Sequence, residues 1–156
     1  MSQKKSLKKR QVLPDSVYDS YLITMLINRI LKKGKKNLAQ RIFDQSMMEI
    51  QESTSRDPIE VLGEAIVNVT PTMEVKSKRV GGSTYQVPRE VCSERGTTLA
   101  LRWILQGAET RPERGMVLQL SREIIDASKN TGSAIRKKDE THRMAEANKA
   151  YAHFKF

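Results

Sequence analysis

The sequence predicts a mainly α-helical single domain of six helices, with one protruding two-stranded β-hairpin and a basic N-terminal arm. Three observations indicate this fold. Apolar residues recur at helical spacing through most of the chain, the spacing changes to a period of two around Gly81-Gly82, and residues 1–13 are basic without an acid. The 156 residues fit one domain. We therefore expect residues 1–13 to form the arm and residues 14–156 to form the domain.

The arm has no hydrophobic period, and its like charges repel one another. It should therefore be disordered unless it lies along phosphates. A tail that only aids solubility is the alternative, but the basic body to which the arm is joined favours phosphate binding. Its cations are Lys4, Lys5, Lys8, Lys9 and Arg10.

Three helices should follow Pro14. The first is predicted from an apolar stripe of Leu22, Met25, Leu26 and Ile30. Gly34 ends it, and the second carries an inward face of Ala39, Ile42, Phe43, Met47 and Ile50. Asp57-Pro58 is typical of a helix start, because Asp accepts hydrogen bonds from first-turn N–H groups and Pro is tolerated there.

Residues 73–91 predict the hairpin. Both central positions of a type I′ turn require positive φ, and Gly81-Gly82 supplies two such positions between extended runs. Neither face of the ribbon is cleanly hydrophobic, so it either packs on the helices or projects into a groove of nucleic acid. The cations at Lys76, Lys78 and Arg79 favour the groove, and Tyr85 either stacks on a base or packs against Val87.

Three more helices complete the domain. The fourth begins at Ser93-Glu94 and should bury Trp103, and the fifth carries Val117, Leu120, Ile124 and Ala127 on one face. The sixth is predicted from about Ser133 to Ala152. Its expected apolar positions are Met144, Ala147, Tyr151 and Phe154.

The formal net charge of +10 requires an anionic partner, of which nucleic acid is the commonest. The charge is segregated. Residues 1–40 carry ten Lys or Arg and two acids, whereas residues 41–70 carry two Lys or Arg and six acids. The rest of the chain is moderately basic. This segregation indicates one face that works on a polyanion and one that does not.

Three cationic clusters in the body are candidate sites for binding a nucleic acid, and solvated surface charge is the alternative for the first. The first surrounds a helix–helix turn at Gly34 and comprises Arg29, Lys32, Lys33, Lys35 and Lys36. The second comprises Arg95, Arg102, Arg111 and Arg114, of which the first two share a helix face. The third comprises Arg136, Lys137, Lys138 and Arg143, for which intrahelical ion pairs are nearly as good an interpretation.

Several classes of function are not supported. One cysteine excludes an internal disulfide and a cysteine-caged zinc, and no apolar run approaches the length of a membrane span or signal peptide. His142 and His153 would lie about 16 Å apart along a helix, too far to share a metal. No nucleotide-hydrolase, hydrolase or metalloprotease motif occurs. We expect a soluble intracellular protein that is not an enzyme and has no metal and no cofactor.

Four segments resemble the ribosomal protein seven family of the small subunit, in its bacterial and organellar form. They are residues 25–36 (MLINRILKKGKK), 80–88 (VGGSTYQVP), 100–103 (ALRW) and 135–148 (IRKKDETHRMAEAN). The resemblance implies a helical domain with a protruding hairpin that binds the 3′ major domain of small-subunit rRNA. Family members initiate assembly of the subunit head and lie near the messenger exit and the exit-site tRNA. Their neighbours are ribosomal proteins nine, eleven, thirteen and nineteen, and no membrane is involved.

The resemblance also assigns residues. The arm, the Lys32–Lys36 turn, the hairpin with Gly81 and Gly82, and the Arg95/Arg102 face match the family's RNA-binding elements, whereas the acids from Glu109 to Glu113 depart from its pattern. The C-terminal ending and the lack of an import peptide suit a plastid-made protein, with a bacterial cytoplasm as the next choice. A DNA-binding helix–turn–helix regulator and an RNA-processing enzyme remain the competing classes.

Overall fold

The structure is a computed structural model, and it describes residues 13–14 and 18–153. Its helices are α1 (Tyr21–Ile30), α2 (Lys36–Thr54), α3 (Pro58–Val69), α4 (Ser93–Glu109), α5 (Met116–Ser128) and α6 (Ser133–Ala147), followed by a 3-10 helix at Lys149–His153. Strands β1 (Met73–Val80) and β2 (Ser83–Glu90) form an antiparallel hairpin. The predicted fold class is therefore confirmed. The cations predicted for the arm lie outside the described residues.

Local sequence signals set the start of α3 and the turn of the hairpin. The Asp57 side chain accepts a hydrogen bond from the Ile59 backbone N–H at 2.9 Å, and Pro58 is the first helical residue. Gly81 and Gly82 have φ of +56° and +89°, as the predicted turn requires. With these two glycines as the loop, Lys78 pairs with Tyr85 and Lys76 with Val87.

The core forms around α5, which packs against α2, α3, α4 and α6. Leu120, Ile124 and Ala127 of this helix are fully buried. The prediction that Trp103 belongs to the core is confirmed, because only 8% of its surface is exposed. A central helix buried on several sides fixes the angles of its neighbours, so the surfaces those neighbours present are fixed as well.

The predicted extent and inward face of α6 are wrong. The α-helix ends at Ala147, and the chain then tightens into the 3-10 helix, in which the Tyr151 N–H bonds to the Asn148 carbonyl. Met144 and Ala147 are exposed, because they do not lie on the face of α6 that is buried. That face comprises Ala134, Ile135, Thr141 and Ala145. The predicted apolar position at Phe154 lies outside the described residues.

The buried stripe of the first helix overlaps the predicted one but is shifted and wider. Leu26 and Ile30 are buried as predicted. Ile23 and Ile27 are buried beside them, whereas the predicted Leu22 is 38% exposed. This side of the helix packs against α2 and α4, which periodicity alone does not reveal.

Candidate nucleic-acid interface

Helix α4 carries Arg95, Arg102 and Glu109 along one face, which we call the α4 spine. Three basic elements lie along this face. The three residues are seven apart, so they follow one line along the helix and span about 21 Å at 1.5 Å per residue. Each of them meets a different element. From the N-terminal end of α4 these are the root of the hairpin, helix α1 and the turn between α1 and α2.

At the first position, Arg95 and Arg89 hold a carboxylate at the root of the hairpin. Glu74 is only 6% exposed, and it accepts hydrogen bonds from Arg89 Nε at 2.7 Å and from Arg95 Nε at 2.8 Å. Both arginines keep part of their side chains in solvent, 37% and 49%. The contact ties the hairpin to α4 and leaves cationic surface beside the joint.

At the second position, Arg102 lies close enough to Arg29 of α1 for their charges to interact. Partial burial and, after it, the positive charge of Arg102 lower the pKa of Arg29 from the ordinary arginine value. Two like charges that interact repel each other, and a phosphate beside them would reduce that repulsion. The pair is therefore a candidate anion site.

At the third position, Glu109 accepts a hydrogen bond from Lys32 Nζ at 2.6 Å, and both side chains of this ion pair are exposed. Lys32 opens the turn between α1 and α2, in which Lys33 and Gly34 adopt positive φ. Lys32, Lys33, Lys35 and Lys36 are all exposed. Helix α2 starts at this turn, and the positive end of its dipole adds to the cations.

Part of the hairpin packs on the helices and part of it is exposed. Strand β1 packs against α6 and strand β2 against the 3-10 helix, and Val87 is 1% exposed. Beyond the root, Lys76, Arg79 and the glycine turn are exposed, and Lys78 is half-buried. The ring of Tyr85 lies 5.3 Å from that of Tyr151, which is a third arrangement beside the base stacking and the Val87 contact that the sequence suggested.

A second anchor joins the chain just before the hairpin to α6. The Thr72 backbone N–H donates to His142 Nε2 at 3.1 Å. Together with the Glu74 ion pairs and the tyrosine contact, this bond fixes the direction in which the ribbon leaves the helices.

Two of the candidate cations serve the interior. Arg111 is only 16% exposed, donates to buried Glu123 at 2.7 Å and also binds Asp126. Burial alone would lower the pKa of Arg111, but the two carboxylates outweigh it and raise that pKa. Lys138 Nζ donates to the Asn68 carbonyl at 2.6 Å, near the negative end of α3.

The remaining cations of the second and third clusters lie at the surface. Arg114, Arg136 and Arg143 are exposed. Lys137 bonds to Glu140 one turn along α6 at 2.6 Å, which is the intrahelical alternative that the sequence suggested. Arg136, Lys137 and Arg143 line one depression together with Thr110, which follows the last residue of α4.

Sequence reasoning missed Glu123, the carboxylate that joins three elements. It is fully buried, holds Arg111 and accepts the Ala134 N–H at 2.8 Å near the start of α6. A Cβ on Gly107 would lie 2.5 Å from Glu123 Oε1, so only glycine allows this carboxylate its place against α4. Gly107 and Gly132 both lie close to Glu123. These two glycines are the one signal in the sequence that pointed to a buried group at this place.

Among the residues that the structure describes, the site is a charged surface. Within residues 13–14 and 18–153, no group of three or more His, Cys, Asp or Glu could hold a metal, and no helix is long and apolar enough to cross a membrane. The arrangement can hold an extended polyanion along α4. A helical body with a basic ribbon and a line of cations is typical of nucleic-acid-binding proteins.

Comparison with known proteins gives the family. The family described as ribosomal protein S7p/S5e matches residues 2–149. The chain is 60% identical to small ribosomal subunit protein uS7c of Ostreococcus tauri and 56% identical to that of Tupiella akineta, over the full length of both chains in each pair. It is 54% identical, again over both full lengths, to uS7 of Gloeothece citriformis (strain PCC 7424). The chain belongs to the ribosomal protein S7p/S5e family.

Membership confirms the coarser part of the predicted function. The protein is a structural, non-enzymatic constituent of the small ribosomal subunit, and rRNA and ribosomal proteins are its class of partner. The predicted localisation is also confirmed, since the relatives above include plastid and cyanobacterial proteins, with the plastid ones more similar. The regulator and the processing enzyme are thereby excluded.

Proposed function

We propose that the protein binds the 3′ major domain of small-subunit rRNA and initiates assembly of the subunit head. In that place it lies near the messenger exit and the exit-site tRNA. Its neighbours there are ribosomal proteins nine, eleven, thirteen and nineteen. The observation that carries the RNA-binding part is the α4 spine, on which three basic elements are held in a line about 21 Å long.

The residues proposed to touch RNA form what we call the basic strip. It consists of Lys32, Lys33, Lys35, Lys36, Arg29, Arg102, Arg95, Lys76, Lys78 and Arg79. Residues 1–13 would add an arm that folds along the RNA. Arg114, Arg136 and Arg143 are candidates for a second surface. Arg111 and Lys138 are left out, because their side chains already hold internal acceptors.

Most of the affinity in this proposal comes from phosphates. Each phosphate that a Lys or Arg neutralises releases condensed counterions, so binding weakens as salt rises. Specificity comes from RNA shape, because a rigid strip fits only a backbone that follows its path. The anchored hairpin contributes by reaching away from the body with its direction already fixed.

The test compares RNA binding by the intact protein and by a double variant, Lys76→Ala with Lys78→Ala. We expect the 3′ major domain RNA to bind far more tightly than duplex DNA of equal length at the same salt. In the double variant, the slope of log K against log salt should fall by about 0.7–0.9 for each phosphate that the protein no longer neutralises.

The matched control is Arg41→Ala with Lys129→Ala. It removes the same charge from two exposed positions outside every cluster described above. The control should keep a salt slope nearer to that of the intact protein. Equal slopes for the hairpin variant and the control would remove the hairpin from the interface, and equal affinity for RNA and DNA would refute the proposed RNA recognition.

A further inference from the structure

A groove beside the basic strip has an apolar floor under a cationic rim. It lies where the α1–α2 turn faces the end of α4 and the start of α5, and its volume is about 490 Å³. Leu38, Ile42, Leu105 and Met116 line the inside. Leu38 is 48% exposed. The volume falls within the range of small-molecule sites, about 300–1,000 Å³.

The rim determines what kind of ligand the groove suits. Arg29, Lys32, Lys33 and Lys35 surround the opening, with Glu109 as the one carboxylate among the lining residues. This excess of positive charge favours a ligand that carries a phosphate beside an apolar ring. An amphipathic helix of a partner protein would need acidic residues beside its apolar face to gain from the rim.

From this arrangement we infer that the groove receives the base of an unpaired guanosine in RNA, with its phosphate on Lys33 and Lys35. The inference rests on the proposed rRNA binding. It adds a base-specific contact to a surface that otherwise recognises the backbone and the shape of the RNA. Leu38 and Met116 contact the faces of the base, and a thioether sulfur makes favourable contacts with aromatic rings. RNA-binding proteins commonly read single-stranded nucleotides by such extrusion of a base.

Glu109 selects guanine over the other bases. A carboxylate offers two acceptor oxygens and no donor, and the N1–H and N2–H groups of guanine are two adjacent donors that match it. Uracil presents a single N3–H between two carbonyl acceptors, which the carboxylate repels. Glu109 is paired with Lys32 in the structure, but exposed pairs of this kind are worth only about 0–1 kcal/mol. The pair can therefore open when the base enters.

The first experiment titrates the full chain, with labelled Leu and Met methyl groups, against GMP, UMP and ribose 5-phosphate by NMR. GMP should shift the methyl resonances of Leu38 and Met116, and it should bind about fivefold or more tightly than UMP. Ribose 5-phosphate, which carries the phosphate without a base, should leave those methyl groups nearly unmoved. Equal binding of all three compounds, or no response at either methyl group, would overturn the inference.

Two variants identify the contacts. Leu38→Ala should weaken GMP binding about 3- to 10-fold, because it removes part of the apolar wall. Met48→Ala is the control, since Met48 lies on the same helix and is 63% exposed but lines a different depression. Glu109→Gln should reduce the preference for GMP over UMP, because an amide both donates and accepts. An unchanged preference would remove Glu109 from the site.

The same samples separate this inference from the proposed function. If GMP fails while the 3′ major domain RNA binds with a steep salt dependence, only the groove is refuted. If that RNA fails to bind, the proposed function is refuted. In that case the GMP titration still tests whether the groove binds guanosine, because it does not require the larger RNA.

Discussion

Replacing the buried Glu123 by glutamine should destabilise the protein more than any change of a surface carboxylate. The side chain is fully buried, with one oxygen accepting from Arg111 Nε and the other from the Ala134 backbone N–H. Glutamine keeps one acceptor but turns an amide NH₂ towards the other donor. In Glu123→Gln the hydrogen bond to Arg111 is the one that breaks, because the single remaining oxygen can stay on Ala134.

The magnitude follows from those two contacts. Loss of a hydrogen bond between charged groups costs about 1.5–3 kcal/mol, and a buried donor left facing another donor adds about 1–3 kcal/mol. Arg111 keeps its contact with Asp126, which limits the loss. We expect a decrease of about 3 kcal/mol in the free energy of unfolding, equivalent to about 6–12 °C in Tm for a chain of this size.

Thermal and urea unfolding of Glu123→Gln measures this decrease, with Glu146→Gln as the control. Glu146 is an exposed carboxylate on α6, so the same chemical change there should alter the free energy of unfolding by less than about 0.5 kcal/mol. Hydrogen exchange at Ala134 should accelerate in the first variant alone, because its N–H then bonds to a neutral amide oxygen instead of a carboxylate. Equal midpoints for the two variants would refute the view that Glu123 joins the three elements.

Three further changes test the anchoring of the elements. Glu74→Gln should lower the free energy of unfolding by about 1–2 kcal/mol and accelerate hydrogen exchange in the hairpin, whereas Glu90→Gln, an exposed change at the same root, should do neither. Tyr85→Ala or Tyr151→Ala should broaden the NMR signals of the hairpin tip with little loss of Tm, and two unchanged spectra would contradict the tyrosine contact. Gly107→Ala should destabilise by about 1–3 kcal/mol in thermal unfolding, although alanine is the better helix former; a higher Tm would show that Glu123 can move aside.

Signals confined to a few neighbouring residues were predictable from the sequence. The glycine turn gave the hairpin and its register, and Asp57-Pro58 gave the start of α3, because each feature depends on backbone preferences of the residues themselves. The end of α6 was not predictable in this way. Its apolar residues are sparse, and only contacts with other elements decide which of them are buried.

The candidate site was predictable in its parts but not in its assembly. The seven-residue spacing of Arg95 and Arg102 could be read directly, yet nothing in the sequence indicated that Arg95 meets Glu74 or that Arg102 faces Arg29. Arg111 looked like a surface cation because its connector is polar, and its carboxylate partners are brought to it by the fold. Glu109, which departed from the family pattern, proved to pair with the basic turn.

The spacing of the α4 spine explains how a free protein tolerates so many cations on one surface. Successive positions on the spine are about 10 Å apart, which is longer than the Debye length of about 8 Å at physiological salt. Repulsion between neighbouring positions is therefore largely screened before RNA arrives, and Glu74 and Glu109 offset the charge at either end. Within the middle position, Arg29 and Arg102 repel each other, and this repulsion adds to burial in lowering the pKa of Arg29. In the proposed RNA complex, a phosphate bound there relieves this repulsion, so the middle position should contribute more to RNA affinity than its two cations would separately.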